Sequence, residues 1–149
     1  MHKSRIALFT LLSFALSSTG TARLWDTERQ VEAQYGAAIE KTENDAEQGK
    51  LYTYRYKDFY VMVTFDDGKS QNELYIHQDQ KTPFSSEEIE VFLDMNSFGQ
   101  RWHKETEDPM WILGDGKAMA AYYPHLGKSE TPSLGICTQE HAKRHGTFR

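Results

Sequence analysis

The stretch from Phe59 to His77, FYVMVTFDDGKSQNELYIH, constrains the fold most tightly. Asp67-Gly68 lies between two runs of strand-forming residues, and Asp-Gly is the pair that best satisfies a type I′ turn, whose central positions both need positive φ. The stretch reads as a β-hairpin. A two-residue turn then sets Val61 with Leu74 and Phe59 with Ile76 on one face. The preceding run, Leu51 to Tyr56, joins through a tight Lys57-Asp58 connection and adds Tyr52, Tyr54 and Tyr56 to that face, together with Val63 and Phe65. The opposite face is predicted to carry Thr53, Arg55, Tyr60, Met62, Thr64, Gln71, Glu73, Tyr75 and His77.

Two helices are legible from their starts. Thr27 with Gln30 three residues later forms a capping-box pattern, Val31 and Tyr35 share a face, and Gly36 suits the left-handed position past the end. Ser85 with Glu88 repeats the pattern, and Phe84 and Ile89 occupy the two positions of a hydrophobic staple. That helix is predicted to run to about Phe98 and stop at Gly99, with Ile89, Phe92, Leu93 and Asn96 on one stripe. Beyond it, Gln100 to Lys104 reads as a short strand, and Thr106 to Pro109 as a turn. Met110 to Leu113 and Ala118 to Tyr123 form a second hairpin with Asp115-Gly116 at its tip, setting Trp111 opposite Ala120. After a loop with Pro124, Gly127 and Pro132 comes another strand, Ser133 to Thr138, and residues 139–149 are a short helix or a frayed tail.

Between the first helix and the first strand, residues 40–50 (EKTENDAEQGK) contain nothing apolar larger than Ala, so they are read as a solvated loop. The two hairpins match at an offset of 48, through Asp67-Gly68-Lys69 and Asp115-Gly116-Lys117, whereas Tyr35-Gly36 and Phe98-Gly99 match at 63. Unequal offsets favour two hairpins converging on one turn chemistry over duplication. The expected fold is α+β, an antiparallel sheet of about five to seven strands with two main helices packed on one face.

Residues 1–22 differ in kind. His2, Lys3 and Arg5 precede an apolar run of 11 residues, Ile6 to Leu16, and then small residues up to Ala22. This is the pattern of a cleavable secretory signal peptide, and the run is too short to span a bilayer, which takes about 20 residues. A periplasmic or secreted location is expected, with no stable membrane span after cleavage. Residues 23–149 then form a single domain of 127 residues. Of the 17 basic residues two lie in the leader, which leaves 15 against 22 acidic ones, a formal charge of −7. Nucleic acid is therefore not expected as a partner, since an acidic domain repels phosphate backbones. The single cysteine, Cys137, cannot close an internal disulfide and reads as a small buried hydrophobe.

From Asp26 to Ile76 the chain resembles the small envelope lipoproteins of outer-membrane assembly, the SmpA/OmlA type, within a wider group of β-lactamase-inhibitor-like folds. The likeness lies in the capped helix with Val31, Tyr35-Gly36, a polar gap, Tyr52-Thr53-Tyr54, and Val61 to Gly68. The lipidated cysteine of that family is missing here. The resemblance implies helices on an antiparallel sheet, used to bind proteins in the cell envelope, and it brings no catalytic residues.

No constellation in the sequence specifies a reaction or a cofactor. Gly68-Lys69-Ser70 and Gly127-Lys128-Ser129 lack the earlier glycine of a phosphate-binding loop, having Val63 and Tyr122 at that position. Cys137, His141 and His145 are spaced to share one helical face and would suit zinc or copper if the segment were helical; a strand cysteine followed by a solvated tail is the favoured reading. Tyr60, Met62 and Tyr75 could form an amphipathic patch on the face away from the helices. The expected function is non-enzymatic binding of another envelope or extracellular protein. A small-ligand or metal-binding module, and a small hydrolase assembled only in three dimensions, are the alternatives.

Overall fold

The structure, a computed structural model, describes residues 23–43, 49–105, 109–125 and 129–146. The expected leader at 1–22 lies outside the described residues, as do 44–48 of the acidic loop, 106–108 of the turn before Met110, Gly127 and the last three residues. The chain order is α1 (Glu28–Tyr35), β1 (Glu40–Glu43), β2 (Lys50–Tyr56), β3 (Phe59–Asp66), β4 (Lys69–His77), α2 (Ser86–Met95), β5 (Trp102–Lys104), β6 (Met110–Leu113), β7 (Ala118–Tyr123), β8 (Ser133–Thr138) and α3 (Gln139–His145).

The strands form one antiparallel sheet of eight, in the order β1-β2-β3-β4-β8-β7-β6-β5. This corrects the expected five to seven strands with two helices: the sheet has eight strands and the described residues hold three helices. The additional strand is β1, inside the stretch read as a solvated loop. All four of its residues are exposed, and it pairs with β2 through Glu40 opposite Thr53 and Glu43 opposite Lys50. An edge strand needs only backbone partners, so a sequence without an apolar face can still form one.

The order of elements is a helix followed by a four-strand meander, twice. The last strands of the two meanders, β4 and β8, pair antiparallel at the centre of the sheet. The N-caps of α1 and α2, Thr27 and Ser85, are 58 residues apart, and each closes a complete capping box with Gln30 or Glu88. The β2–β3 turn at Lys57-Asp58 and the β6–β7 turn at Asp115-Gly116 are also 58 apart. The offset of 48 matches the β3–β4 turn to the β6–β7 turn, which occupy different places in the two meanders.

Both longer helices bury their apolar stripes against the same face. Val31 and Tyr35 of α1 are buried, with the Tyr35 ring 5.8 Å from that of Tyr54 and 5.1 Å from that of Tyr56. Phe92 of α2 stacks on Tyr75 at 4.0 Å and meets Phe59 edge-on at 4.9 Å. Aromatic pairs at such spacings stabilise by about 0.5–1.5 kcal/mol beyond their area burial. The helix ends at Met95, short of Phe98, because Asn96 turns its backbone out of the helix and gives its side-chain oxygen to the Leu24 N–H at 2.9 Å. That bond, with the Trp25 N–H donating to the Ser70 carbonyl and the Ser70 N–H to the Asp26 carbonyl, each at 2.8 Å, ties the segment before α1 to the sheet.

Candidate binding face

The Asp67-Gly68 turn forms as expected, with φ of 50° and 70° at its two centres, yet the strands beyond it do not keep the simple register. Phe65 lies opposite Ser70 and Thr64 opposite Asn72, which leaves Gln71 as an extra residue in a β-bulge. One extra residue flips every side chain that follows. Met62 therefore faces Leu74, Tyr60 faces Ile76, Val61 faces Tyr75 and Val63 faces Glu73. The expected pairing of Val61 with Leu74 is corrected: Glu73, Tyr75 and His77 point toward the helices, and Leu74 and Ile76 point away. The β2–β3 register carries no bulge and follows the sequence, with Tyr54 opposite Val61.

Of the three patch residues expected from sequence, Tyr60 and Met62 lie on the face away from α1 and α2, both half-buried, while Tyr75 is wholly buried on the helix side. Ile76 takes the place expected for Tyr75. It lines a shallow groove of about 350 Å³ with Tyr60, Met62, Thr53 and Ile39, and Ile39 is 52% exposed. The Arg55 guanidinium sits 5.9 Å from the centre of the Tyr60 ring.

Register carries this face across the junction into the second meander. Leu74 is opposite Gly135, Gly135 opposite Ala121, and Cys137 opposite Met119, which is itself opposite Ile112. Gly135 leaves room between its neighbours: a Cβ there would lie 3.6 Å from the Tyr123 ring and 3.7 Å from Leu74. Tyr60 and Met62 on β3, Leu74 and Ile76 on β4, and Met119 and Tyr123 on β7 are all half-buried, so the outer face presents apolar side chains from three strands, on either side of the buried β8. Ala121, Gly135 and Cys137 on the same face are buried, so the half-buried side chains flank β8 and do not run unbroken across it.

A second depression, about 390 Å³, lies on the helix side, where α2 leaves β6 and β7 partly uncovered between Ile89, Leu93, Trp111 and Tyr122. Trp111 stands opposite Ala120, as the sequence predicts.

The three candidate metal ligands are not brought onto one helical face. Cys137 is in β8, wholly buried, and Thr138 is the N-cap of α3, so the helix begins after the cysteine. Burial pushes the Cys137 thiol up to about 12, which keeps it protonated. His141 and His145 lie on α3 with ring centres 4.5 Å apart, and burial, then the neighbouring His145, hold the His141 imidazole down at about 4. Among the described residues no three His, Cys, Asp or Glu side chains are placed to hold a metal ion. His77 packs against Phe59 at 4.4 Å and shares a hydrogen bond of 3.2 Å with Glu88, while His103 and His125 are exposed.

The polar group that sequence reasoning missed is Glu73, fully buried on the helix side with Tyr35, Tyr75 and Asn96 around it. Nothing in its local sequence marks it, because the bulge alone turns it inward.

No protein-family model matches this sequence, and no curated protein matches it. Among solved structures, the chain is similar to a cysteine-rich secretory protein from Staphylococcus aureus subsp. aureus Mu50, with a TM-score of 0.46 and 15% identity over 80% of this chain and 46% of that one. It is also similar to an extracellular protein containing an SCP domain from Bacillus anthracis str. Ames, with a TM-score of 0.49 and 13% identity over 100% of this chain and 54% of that one. The chain spans about half the length of each. Among the described residues no helix is long and apolar enough to cross a membrane.

Proposed function

We propose that this chain is an exported, non-enzymatic protein that binds another envelope or extracellular protein with the outer face of its sheet. The observation that carries the reading is the row Tyr60, Met62, Leu74, Ile76 on β3 and β4, half-buried on the face opposite α1 and α2. These positions are free of formal charge and three of them line the shallow groove, and amphipathic Tyr and Met are enriched where proteins meet. A partner that fits them presents an apolar ridge or side chain to the shallow groove, with polar groups to meet Arg55 and Glu40 at the rim. The likeness of residues 26–76 to SmpA/OmlA-type envelope proteins implies the same use of a helix-on-sheet domain. Export is supported by the basic start and apolar run from Ile6 to Leu16.

The test is site-specific photo-crosslinking in the native envelope or culture fluid. A crosslinker at Met62 or Ile76 is expected to capture one discrete protein. The same group at Val91, exposed on α2, is expected to capture none. Capture of the same species from both sides, or a free monomer from the outer positions, overturns the reading.

A further inference from the structure

On the helix side of the sheet, one carboxyl group is shut away from water with no cation against it among the described residues. Glu73 is 0% exposed, and its cross-strand neighbours, Val63 on β3 and Ile136 on β8, are apolar. One oxygen, Oε2, is hydrogen-bonded to the Tyr75 hydroxyl and lies 3.4 Å from the Tyr35 hydroxyl. The two tyrosine oxygens are 3.2 Å apart, and Asn96 Nδ2 donates toward Tyr75 at 3.5 Å. Asn96 also holds the Leu24 N–H. One node thus joins β4, α1, the end of α2 and the segment before α1. The other oxygen, Oε1, has no hydrogen-bond partner among the described residues.

We propose that Glu73 is a proton-operated latch between the sheet and its two covering helices: the neutral acid closes the network, and loss of its proton opens the seam to water. An unpartnered buried oxygen suits the carbonyl oxygen of a neutral acid, whereas a carboxylate leaves charge on an oxygen with no donor. In the neutral acid Oε2 carries the proton toward Tyr75 Oη, and the tyrosine hydroxyls turn to continue the chain. The facing groups do not offset a negative charge. Tyr35 comes from α1, Tyr75 from β4 and Tyr54 from β2; α2 contributes Phe92 and the neutral Asn96, and Asp26 before α1 adds repulsion. Burial pushes the carboxyl up to about 7, against the pull of the Tyr75 and Tyr35 hydroxyls bonded to Oε2 and of the nearby Asn96 amide. Burial and the nearby carboxyl hold both tyrosines well above their ordinary range, so neither takes the charge in its place.

Hydrogen exchange of the full chain tests the latch. After correction for intrinsic exchange, the opening constant of α1 and α2 is expected to rise up to tenfold per pH unit from about pH 5 and to level off above about 7. Amides of β3 are expected to move far less. In Glu73→Gln the α1 and α2 rise is expected to vanish. If that variant does not fold, isotope-edited infrared spectra of the unmodified chain replace it: the acid carbonyl band of one glutamate is expected to persist to near neutrality. An unchanged pH slope in Glu73→Gln, or loss of that band in the ordinary carboxyl range, overturns the proposal.

Discussion

Leu74 stands opposite Met62, and so the strand that follows the Asp67-Gly68 turn shows its aliphatic residues to the outside and a glutamate and a tyrosine to the core. The bulge at Gln71 makes this arrangement, and substitution costs report it directly. Tyr75→Ala removes a wholly buried ring stacked on Phe92 and is expected to cost about 3–5 kcal/mol. Leu74→Ser, at a half-buried position, is expected to cost about 1 kcal/mol or less. Chemical denaturation of the two variants checks this; a larger cost for Leu74→Ser than for Tyr75→Ala would mean the register is the unbulged one.

The outer face separates binding from stability. Tyr60→Ser combined with Ile76→Ser removes the two side chains that meet across β3 and β4 in the groove, and neither reaches the helix-side core. Binding of the crosslinked partner is expected to fall by at least tenfold while the unfolding midpoint moves little. Loss of folding with partner affinity retained in the surviving fraction would assign the pair a structural role only.

The features legible in the sequence are those written locally. The type I′ turn, both capping boxes and the Trp111–Ala120 pairing are each specified by a few adjacent residues, and each is present. The β3–β4 register is not local. Leu74 and Ile76 alternate with Glu73 and Tyr75, so pattern alone puts the aliphatics inside. What favours the reverse is tertiary: the Phe92 ring from α2 against Tyr75, and the Tyr35 hydroxyl from α1 within reach of Tyr75 and Glu73. Strand β1 is hidden for a different reason, since its pairing uses backbone only. Half of the outer patch, Tyr60 and Met62, precedes the bulge and is legible in the sequence; Ile76 follows it and is not.

The two capping boxes sit in equivalent places in the two meanders, and their contributions are comparable. Thr27→Ala and Ser85→Ala each remove the acceptor for an N3 amide and are expected to cost about 1 kcal/mol. Glu88 also reaches His77 at 3.2 Å, so Ser85→Ala disturbs a side chain that binds β4 as well as its own helix. The double variant checks independence: its denaturation free energy is expected to match the sum within about 0.5 kcal/mol.

Cys137 is wholly buried on β8, and burial raises its thiol to about 12. Only the thiolate reacts readily with alkylating or disulfide reagents, so labelling of the native chain at neutral pH is expected to follow unfolding. Modification is expected to rise in step with denaturant-induced loss of tertiary signal. Fast stoichiometric labelling of the native chain would place the thiol at the surface.

Glu73 and His141 give the pH profile opposing slopes. Burial raises the Glu73 carboxyl from 4.5 to about 7, so its contribution to stability is complete below the unfolded value and is lost as pH rises through about 7. For a wholly buried carboxyl displaced this far, the loss amounts to about 3 kcal/mol. His141 runs the other way. Its imidazole is lowered from 6.5 to about 4, so its contribution is present above the unfolded value and is lost as pH falls toward 4. Between about 4.5 and 6.5 the two slopes cancel in the unmodified chain. Comparing each single variant with that chain removes the groups they share. Glu73→Gln is expected to lose stability on acidification across this window, and His141→Gln to gain it, as read by urea midpoints at each pH. Parallel profiles for the two variants would show that neither group titrates away from its unfolded value.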